Sequence, residues 1–248
     1  MKAMIFAAGL GTRLKPLTDR MPKALVPVGG KTLIQWQIEM LRDAGLNDIT
    51  VNVHHFADML IAYLRENNGF GCNITISDER EQLLETGGGL KKAFAGIDEQ
   101  EPVLACNADI LSNIDLRRLI QTYQTTGLSQ LVVSERDTQR YLCFDTHSNL
   151  CGWVNIKTGE TKGSDGRHLA FSGMQILNPQ TMKRLQQTQA QVFSLTDFYL
   201  QTAAAKRDGE QLIAYIPNNY RMMDVGKAEH LHEAELFAAS LTKSKGLL

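Results

Sequence analysis

Short apolar runs alternate with longer amphipathic stretches along the first half of the chain. Residues 2–7 are mostly apolar and close on Gly9 and Gly11, which predicts a buried strand running into a turn. Over residues 32–45 the apolar positions are Leu33, Ile34, Trp36, Ile38, Met40 and Leu41, ending at Gly45. That is an amphipathic helix with a glycine stop. The alternation then repeats: a strand over 49–53, a helix over 57–67 before Asn68-Gly69, a strand over 73–77, a helix starting near Thr86, a strand over 102–107, and a helix capped by Asp115. Short apolar strands alternating with helices predict βαβ units and a parallel sheet covered on both faces.

After residue 128 the pattern changes. Strand-like segments at 131–133, 141–144, 153–156 and 169–177 follow one another with few helices between them. Residues 157–168, rich in Gly, Lys, Asp and Ser, read as a flexible loop, and helices return over 179–187, 195–207 and 227–242. The expected architecture is α/β: a Rossmann-like, mostly parallel central sheet flanked by helices, with a smaller mixed-sheet extension forming the second wall of a cleft.

Composition narrows the function. The 248 residues carry 43% hydrophobic and 21% charged side chains and a formal net charge of −1. No general surface for nucleic acid or membrane follows from that, so an anionic ligand must be met by a local positive cluster. The apolar N-terminus is too short for a secretion signal, and no apolar run reaches the ~18 residues of a membrane span. A cytoplasmic protein is expected. Cysteines 72, 106, 143 and 151 contain no C-x-x-C pair, so neither a zinc site nor a disulfide is expected, and Cys106 reads as core.

The chemistry begins at Ala7-Ala8-Gly9-Leu10-Gly11-Thr12-Arg13-Leu14. Two glycines after a first strand let backbone N–H groups approach phosphate oxygens, although a plain tight turn uses glycines in the same way. The P-loop is excluded, because Gly-Lys-Ser/Thr is missing. The dinucleotide fingerprint is excluded because Leu14 stands where a third small residue is needed. Arg13, inside the loop, can clamp a polyphosphate in fork geometry. Lys23, between Pro22 and an apolar run, has a fixed backbone and one positive head to aim into a cleft.

The run Ala-Ala-Gly-Leu-Gly-Thr-Arg-Leu-x-Pro-Leu-Thr followed by Pro-Lys-Ala-Leu-Val-Pro-Val resembles the nucleotidyltransferase family that activates sugar 1-phosphates. The resemblance continues to Asp224. It implies one nucleotidyltransferase domain over 1–248, with a nucleotide-binding half at 1–128 and a sugar- and metal-binding half at 129–248. It also implies that Ala8, Gly9, Gly11 and Thr12 wrap the triphosphate, that Arg13 holds the leaving pyrophosphate, and that Lys23 contacts the α-phosphate. Thr86 and Gly87, in Glu85-Thr86-Gly87-Gly88-Gly89, would cover the base, with Glu81 or Gln82 reading its edge. Asn107 stands where the family usually has glycine, but Asp109 is kept, and Asp224 in Met-Met-Asp-Val-Gly matches the second metal-ligating aspartate. The two carboxylates would hold Mg²⁺; the alternative for each is a helix cap. Arg13, Lys23 and Asp109 are thus the catalytic candidates. Arg140, Gly173 and Asp224 are candidates for contacting the sugar, with Lys157, Lys162 and Arg167 as further charges in that half.

The form of the glycine turn and the short chain look most like uridylyltransferases for N-acetylmuramate 1-phosphate in cell-wall recycling. Guanylyltransfer to mannose or heptose 1-phosphate, cytidylyltransfer to phosphocholine, and a non-catalytic nucleotide-sugar sensor stay open. A nucleoside triphosphate and a sugar 1-phosphate are the expected partners of a monomer or small homo-oligomer. The extra C-terminal β-helix of some relatives is not expected after residue 242. The adjacent His54 and His55 cannot act as an i, i+4 metal pair, and read as capping or packing residues.

Overall fold

The computed structural model describes residues 1–96 and 100–245. The chain forms two compact units that interleave along the sequence. The glycine-loop unit contains Lys2–Leu83, Cys106–Leu116 and Tyr220 onward; the meander unit contains Met1, Leu84–Ala105 and Arg117–Asn219. The change of pattern at residue 128 therefore does not mark the division between units. One crossing falls inside the strand Val103–Asn107, and the last falls at Tyr220.

In the glycine-loop unit, Lys2–Phe6 pairs parallel with Asp48–Val53, from Ala3↔Ile49 to Phe6↔Asn52. Asp48–Val53 in turn pairs parallel with Asn73–Asp78, from Asp48↔Asn73 to Val53↔Asp78. The helices Leu33–Asp43 and Ala57–Glu66 provide the crossovers that parallel pairing requires. The first is capped by Thr32, whose hydroxyl oxygen accepts the Gln35 N–H at 3.2 Å. It buries Leu33, Ile34, Ile38 and Leu41 on one face. Gly45 ends it at φ +87°, donating its N–H to the Arg42 carbonyl at 2.8 Å.

A separate apolar cluster in this unit unites distant segments. Leu14, Val26, Val28, Leu33, Leu111 and Val225 pack with Ala234, Ala238 and Leu241. The last three share one face of the helix Leu231–Lys245. Burial of each larger side chain contributes about 1.5–3 kcal/mol. The cluster therefore anchors the glycine loop, the lysine turn and both aspartate-bearing segments from behind.

The meander unit is largely antiparallel. Arg140–Phe144, Leu150–Asn155 and Glu160–Gly163 pair in succession. Arg167–Leu177 pairs with Arg140–Phe144 and with Ser129–Ser134, and Leu212–Tyr215 joins Ser129–Ser134 in parallel. Helix Leu195–Ala205 packs against strand Leu150–Asn155 and helix Glu85–Ala93. Its cap is Ser194, which accepts the Asp197 N–H at 3.1 Å and donates its hydroxyl to the Asp197 carboxylate at 2.8 Å.

Residues 157–168 are not a flexible loop. Glu160–Gly163 is a strand, paired from Asn155↔Glu160 to Gly152↔Gly163, and the next strand starts at Arg167. All four residues of Glu160–Gly163 are exposed, so the backbone ladder forms without an apolar face, and a charged edge is common for such a strand. The strands Ile110–Ser112 and Met222–Asp224, three residues each, also escape periodicity analysis.

Gly87 and Gly88 are packed against residues 191–193. Both N–H groups donate to the Phe193 carbonyl, at 2.8 and 3.2 Å. A Cβ at Gly87 would overlap the Phe193 ring, and one at Gly88 would overlap the Gln191 carbonyl oxygen. Gly88→Ala should gain about 1 kcal/mol of helix propensity but lose about 1–3 kcal/mol by overpacking against backbone. The expected result is a lower denaturation midpoint, and an unchanged midpoint would show that residues 191–193 yield freely.

Candidate active site

The loop after the first strand is held open by glycine and pinned at both sides. Gly11 has φ +63°, and its carbonyl accepts the Thr18 hydroxyl at 2.8 Å and the Leu14 N–H at 2.9 Å. A Cβ there would lie 2.9 Å from Thr18 Cγ2 and 3.1 Å from Lys23 Cβ, so glycine is required on steric as well as conformational grounds. Leu14 is fully buried while Gly9, Thr12 and Arg13 on the same loop are exposed. The leucine that argued against the dinucleotide fingerprint is the anchor that turns Arg13 outward.

The sequence Pro22-Lys23-Ala24-Leu25-Val26 forms a single 3₁₀ turn, closed by Val26 N–H donating to the Lys23 carbonyl at 3.0 Å. Ala24 and Val26 are buried, which leaves the Lys23 side chain on the opposite side. Its ammonium forms an ion pair with Asp109 Oδ2, and both side chains are mostly sheltered from solvent, at 13% and 23% exposure. That shelter strengthens the attraction relative to a surface pair.

Asp109 lies between the strands Val103–Asn107 and Ile110–Ser112. Strand Met222–Asp224 runs antiparallel to the latter, with Asp224 opposite Ile110, and Val225 N–H donates to the Asp109 carbonyl at 2.9 Å. Asp224 thus pairs with the residue that directly follows Asp109, which brings together two aspartates 115 positions apart in sequence. Gly226 explains what happens above them. A Cβ built on it would lie 2.6 Å from Asp224 Oδ1 and 3.1 Å from Arg13 Nη2. An Asp224 oxygen and an Arg13 nitrogen therefore both border the space that a side chain at Gly226 would fill.

One unit thus brings together Arg13, Lys23, Asp109 and Asp224. Ala8 is in the same loop, but its N–H already donates to Asn52 Oδ1 at 3.3 Å. Asn107 ends its strand half-buried, while Glu81 and Gln82 are exposed on the turn after Glu79. His54 donates from Nδ1 to the Glu79 carbonyl at 2.7 Å, and the exposed His55 ring lies 4.1 Å from that of Phe56.

The other expected residues belong to the meander unit. Thr86 Oγ1 accepts the Leu195 N–H at 3.0 Å. Arg140 opens its strand, exposed, opposite Asn155. Gly173 has φ +70° within the bulge where the pairing of Arg167–Leu177 slips between Phe171 and Gln175, so the backbone alone calls for glycine there. Lys162 pairs with Asp197 at 3.0 Å and lies 5.5 Å from the centre of the Trp153 ring, and Arg167 pairs with Glu135 at 2.5 Å. The Ser194 hydroxyl, then Lys162, hold the Asp197 carboxyl below its ordinary range.

Asp109 and Asp224 fit Mg²⁺ by donor chemistry: two hard carboxylate oxygens, with room in the coordination shell for water and phosphate. Cys143, Asp165 and His168 also converge within 4.8 Å in the meander unit. Burial, with Asp165 and Cys151 nearby, pushes the Cys143 thiol up to about 11, so a thiolate ligand is disfavoured at neutral pH.

A glycine loop after the first strand of a parallel α/β sheet, in one unit with a lysine and two aspartates, is an arrangement suited to the phosphates of a nucleotide. The family model described as nucleotidyl transferase matches residues 2–240, and the chain belongs to that family. An N-acetylmuramate alpha-1-phosphate uridylyltransferase of Caulobacter vibrioides is 52% identical over 109 residues, 43% of this chain and 45% of that protein. A mannose-1-phosphate guanyltransferase of Neurospora crassa is 40% identical over 129 residues, covering 51% of this chain and 35% of that protein. The chain matches about half the length or less of these curated relatives. A solved UDP-glucose pyrophosphorylase complexed with UDP-glucose shares the fold at TM-score 0.77 and 22% identity, covering 97% of this chain and 99% of that one. Among the described residues no helix is long and apolar enough to cross a membrane.

Proposed function

We propose that this chain transfers a uridylyl group from UTP to N-acetylmuramate 1-phosphate and releases pyrophosphate. The observation that carries the transfer chemistry is the gathering in one unit of the Lys23–Asp109 ion pair, the adjoining backbone of Asp224, and Arg13 beside Gly226. The phosphate oxygen of the sugar attacks the α-phosphorus in line, the bond to the bridging oxygen breaks, and pyrophosphate leaves with that electron pair. The nucleophile is already an anion, so no covalent enzyme intermediate is required. The obstacle is repulsion between two anions, and fixed positive groups remove it without reorganisation.

Lys23 offsets charge at the α-phosphate and Arg13 at the departing pyrophosphate. Asp109 and Asp224 would hold Mg²⁺, which supplies further charge neutralisation when bound. Asp109 also orients Lys23 through their ion pair. Thr86 and Gly87 are proposed as base-contacting residues on the strength of the family resemblance, and so, separately, are Glu81 and Gln82. Arg140 and Gly173 are proposed as sugar contacts by the same resemblance, as is Asp224.

The choice of UTP and N-acetylmuramate 1-phosphate rests on the Glu85-Thr86-Gly87-Gly88-Gly89 turn and on similarity to uridylyltransferases for that sugar, at 52% and 41% identity over partial lengths. GTP with mannose 1-phosphate is the second reading, favoured by the guanyltransferase similarity. Pyrophosphate release with four triphosphates and a panel of sugar 1-phosphates separates them. The expected result is a kcat/KM for UTP at least about tenfold above GTP and CTP with this sugar. A preference for GTP with mannose 1-phosphate would establish the second reading, and no turnover of any pair would reject the activity.

A further inference from the structure

We propose that Asn52 and Glu79 form a positioning pair that fixes the entry of the glycine loop, and through it the binding of the triphosphate. This rests on the reading of that loop as the phosphate site. Register carries Asn52 beside Phe6, the last residue of the first strand. There Asn52 Oδ1 accepts both of the next N–H groups, from Ala7 at 2.7 Å and Ala8 at 3.3 Å. Its Nδ2 donates to Glu79 Oε1 at 2.7 Å. Both polar side chains are almost wholly buried, Asn52 at 3% exposure and Glu79 at 1%.

The chemistry of the three partners allows one arrangement. Backbone N–H groups only donate and a carboxylate only accepts, so the amide must turn its oxygen to the loop and its nitrogen to Glu79. An apolar side chain at 79 would avoid the cost of burying a carboxylate, but it would leave Asn52 Nδ2 unpaired and the amide free to turn over. The main chain of Glu79 is itself held by three hydrogen bonds. Its N–H donates to the Val53 carbonyl at 2.8 Å, and its carbonyl accepts His54 Nδ1–H at 2.7 Å and Gln82 N–H at 3.1 Å. The pair therefore transmits the rigid geometry of two neighbouring strands to the first two residues of the loop. It also engages the Ala7 and Ala8 N–H groups, so the amides free to meet phosphate begin at Gly9.

The test exchanges the two functional groups. Asn52→Asp places two carboxylates face to face, whereas Asn52→Asp with Glu79→Gln restores the hydrogen bonds to Ala7, to Ala8 and between the two side chains, with donor and acceptor reversed in the last. Asn52→Asp is expected to weaken UTP binding by calorimetry and raise the KM for UTP about tenfold, with kcat changed much less. The double variant is expected to return both to within about threefold of the parent. Should Asn52→Asp fail to fold, Glu79→Leu is expected to weaken UTP binding and Glu79→Gln to preserve it, since the glutamine oxygen still accepts from Asn52. A double variant no better than Asn52→Asp, or Glu79→Leu indistinguishable from the parent, overturns the proposal. Amide exchange without nucleotide separates this failure from failure of the proposed function. A parent that binds no triphosphate rejects the function, while slow exchange at Ala7 and Ala8, accelerated in Glu79→Leu, still establishes the pair; unaccelerated exchange rejects it.

Discussion

Asp109→Asn and Asp224→Asn each lower turnover about a thousandfold while leaving the fold intact, a loss equivalent to about 4 kcal/mol of transition-state stabilisation. Both substitutions are isosteric, and the backbone that holds the two strands together is untouched: Val225 N–H still finds the Asp109 carbonyl, and residue 224 still pairs with Ile110. What disappears is one negative charge at a proposed Mg²⁺ ligand. For Asp109 there is a second loss, since Lys23 keeps its charge and loses its partner. The folding cost of that broken pair is reduced, because the asparagine Oδ1 can still accept a hydrogen bond from the sheltered Lys23 ammonium. Initial rates over a range of Mg²⁺ concentrations, alongside thermal melting, separate the two effects. Near-parental rates at limiting Mg²⁺ in either variant would remove that aspartate from the metal site. A collapsed melting temperature with normal activity per folded molecule would make it structural.

The residues that sequence reading found and missed differ in a physical way. The alternating elements of residues 2–126 were legible because a strand or helix buried on one face writes its period into the chain. Arg13 and Lys23 were legible because charged residues in a glycine- and proline-bounded run have few structural uses. The pairing of Ile110–Ser112 with Met222–Asp224 was not legible, since three residues carry no period and the partners are more than a hundred positions apart. Glu160–Gly163 was misread for the converse reason: its ladder is made by backbone, while its side chains look like a loop. Gly173 gave a signal with two meanings. Its glycine suggests close approach of a ligand, but the φ of +70° inside a bulge already accounts for it. Asn52 offered one faint mark, a polar residue inside the apolar run Val51-Asn52-Val53, and only the fold shows that Glu79 is its partner.

Gly226→Ala is expected to lower kcat about a hundredfold, the scale of loss when reacting groups are displaced by about 1 Å. The substitution brings no backbone strain, because Gly226 does not occupy the left-handed region. The added methyl instead contests the space of two side-chain ends, 2.6 Å from Asp224 Oδ1 and 3.1 Å from Arg13 Nη2. Arg13 is long and exposed and can swing aside. Asp224 cannot retreat as easily, since its backbone is fixed opposite Ile110 and the next residue is bonded to Asp109. Its carboxylate must rotate, taking a proposed metal oxygen out of line. Stability should fall far less than activity, because the displaced groups are polar and at the surface of the unit. The decisive measurement is a double-mutant cycle with Asp224→Asn. If Gly226 acts by leaving room for that carboxylate, Gly226→Ala costs about a hundredfold in the parent and only a few-fold when residue 224 is already Asn. Equal losses in the two backgrounds would assign the effect to Arg13 or to the backbone of the strand pair, and kcat near that of the parent would show that the site accommodates the methyl group.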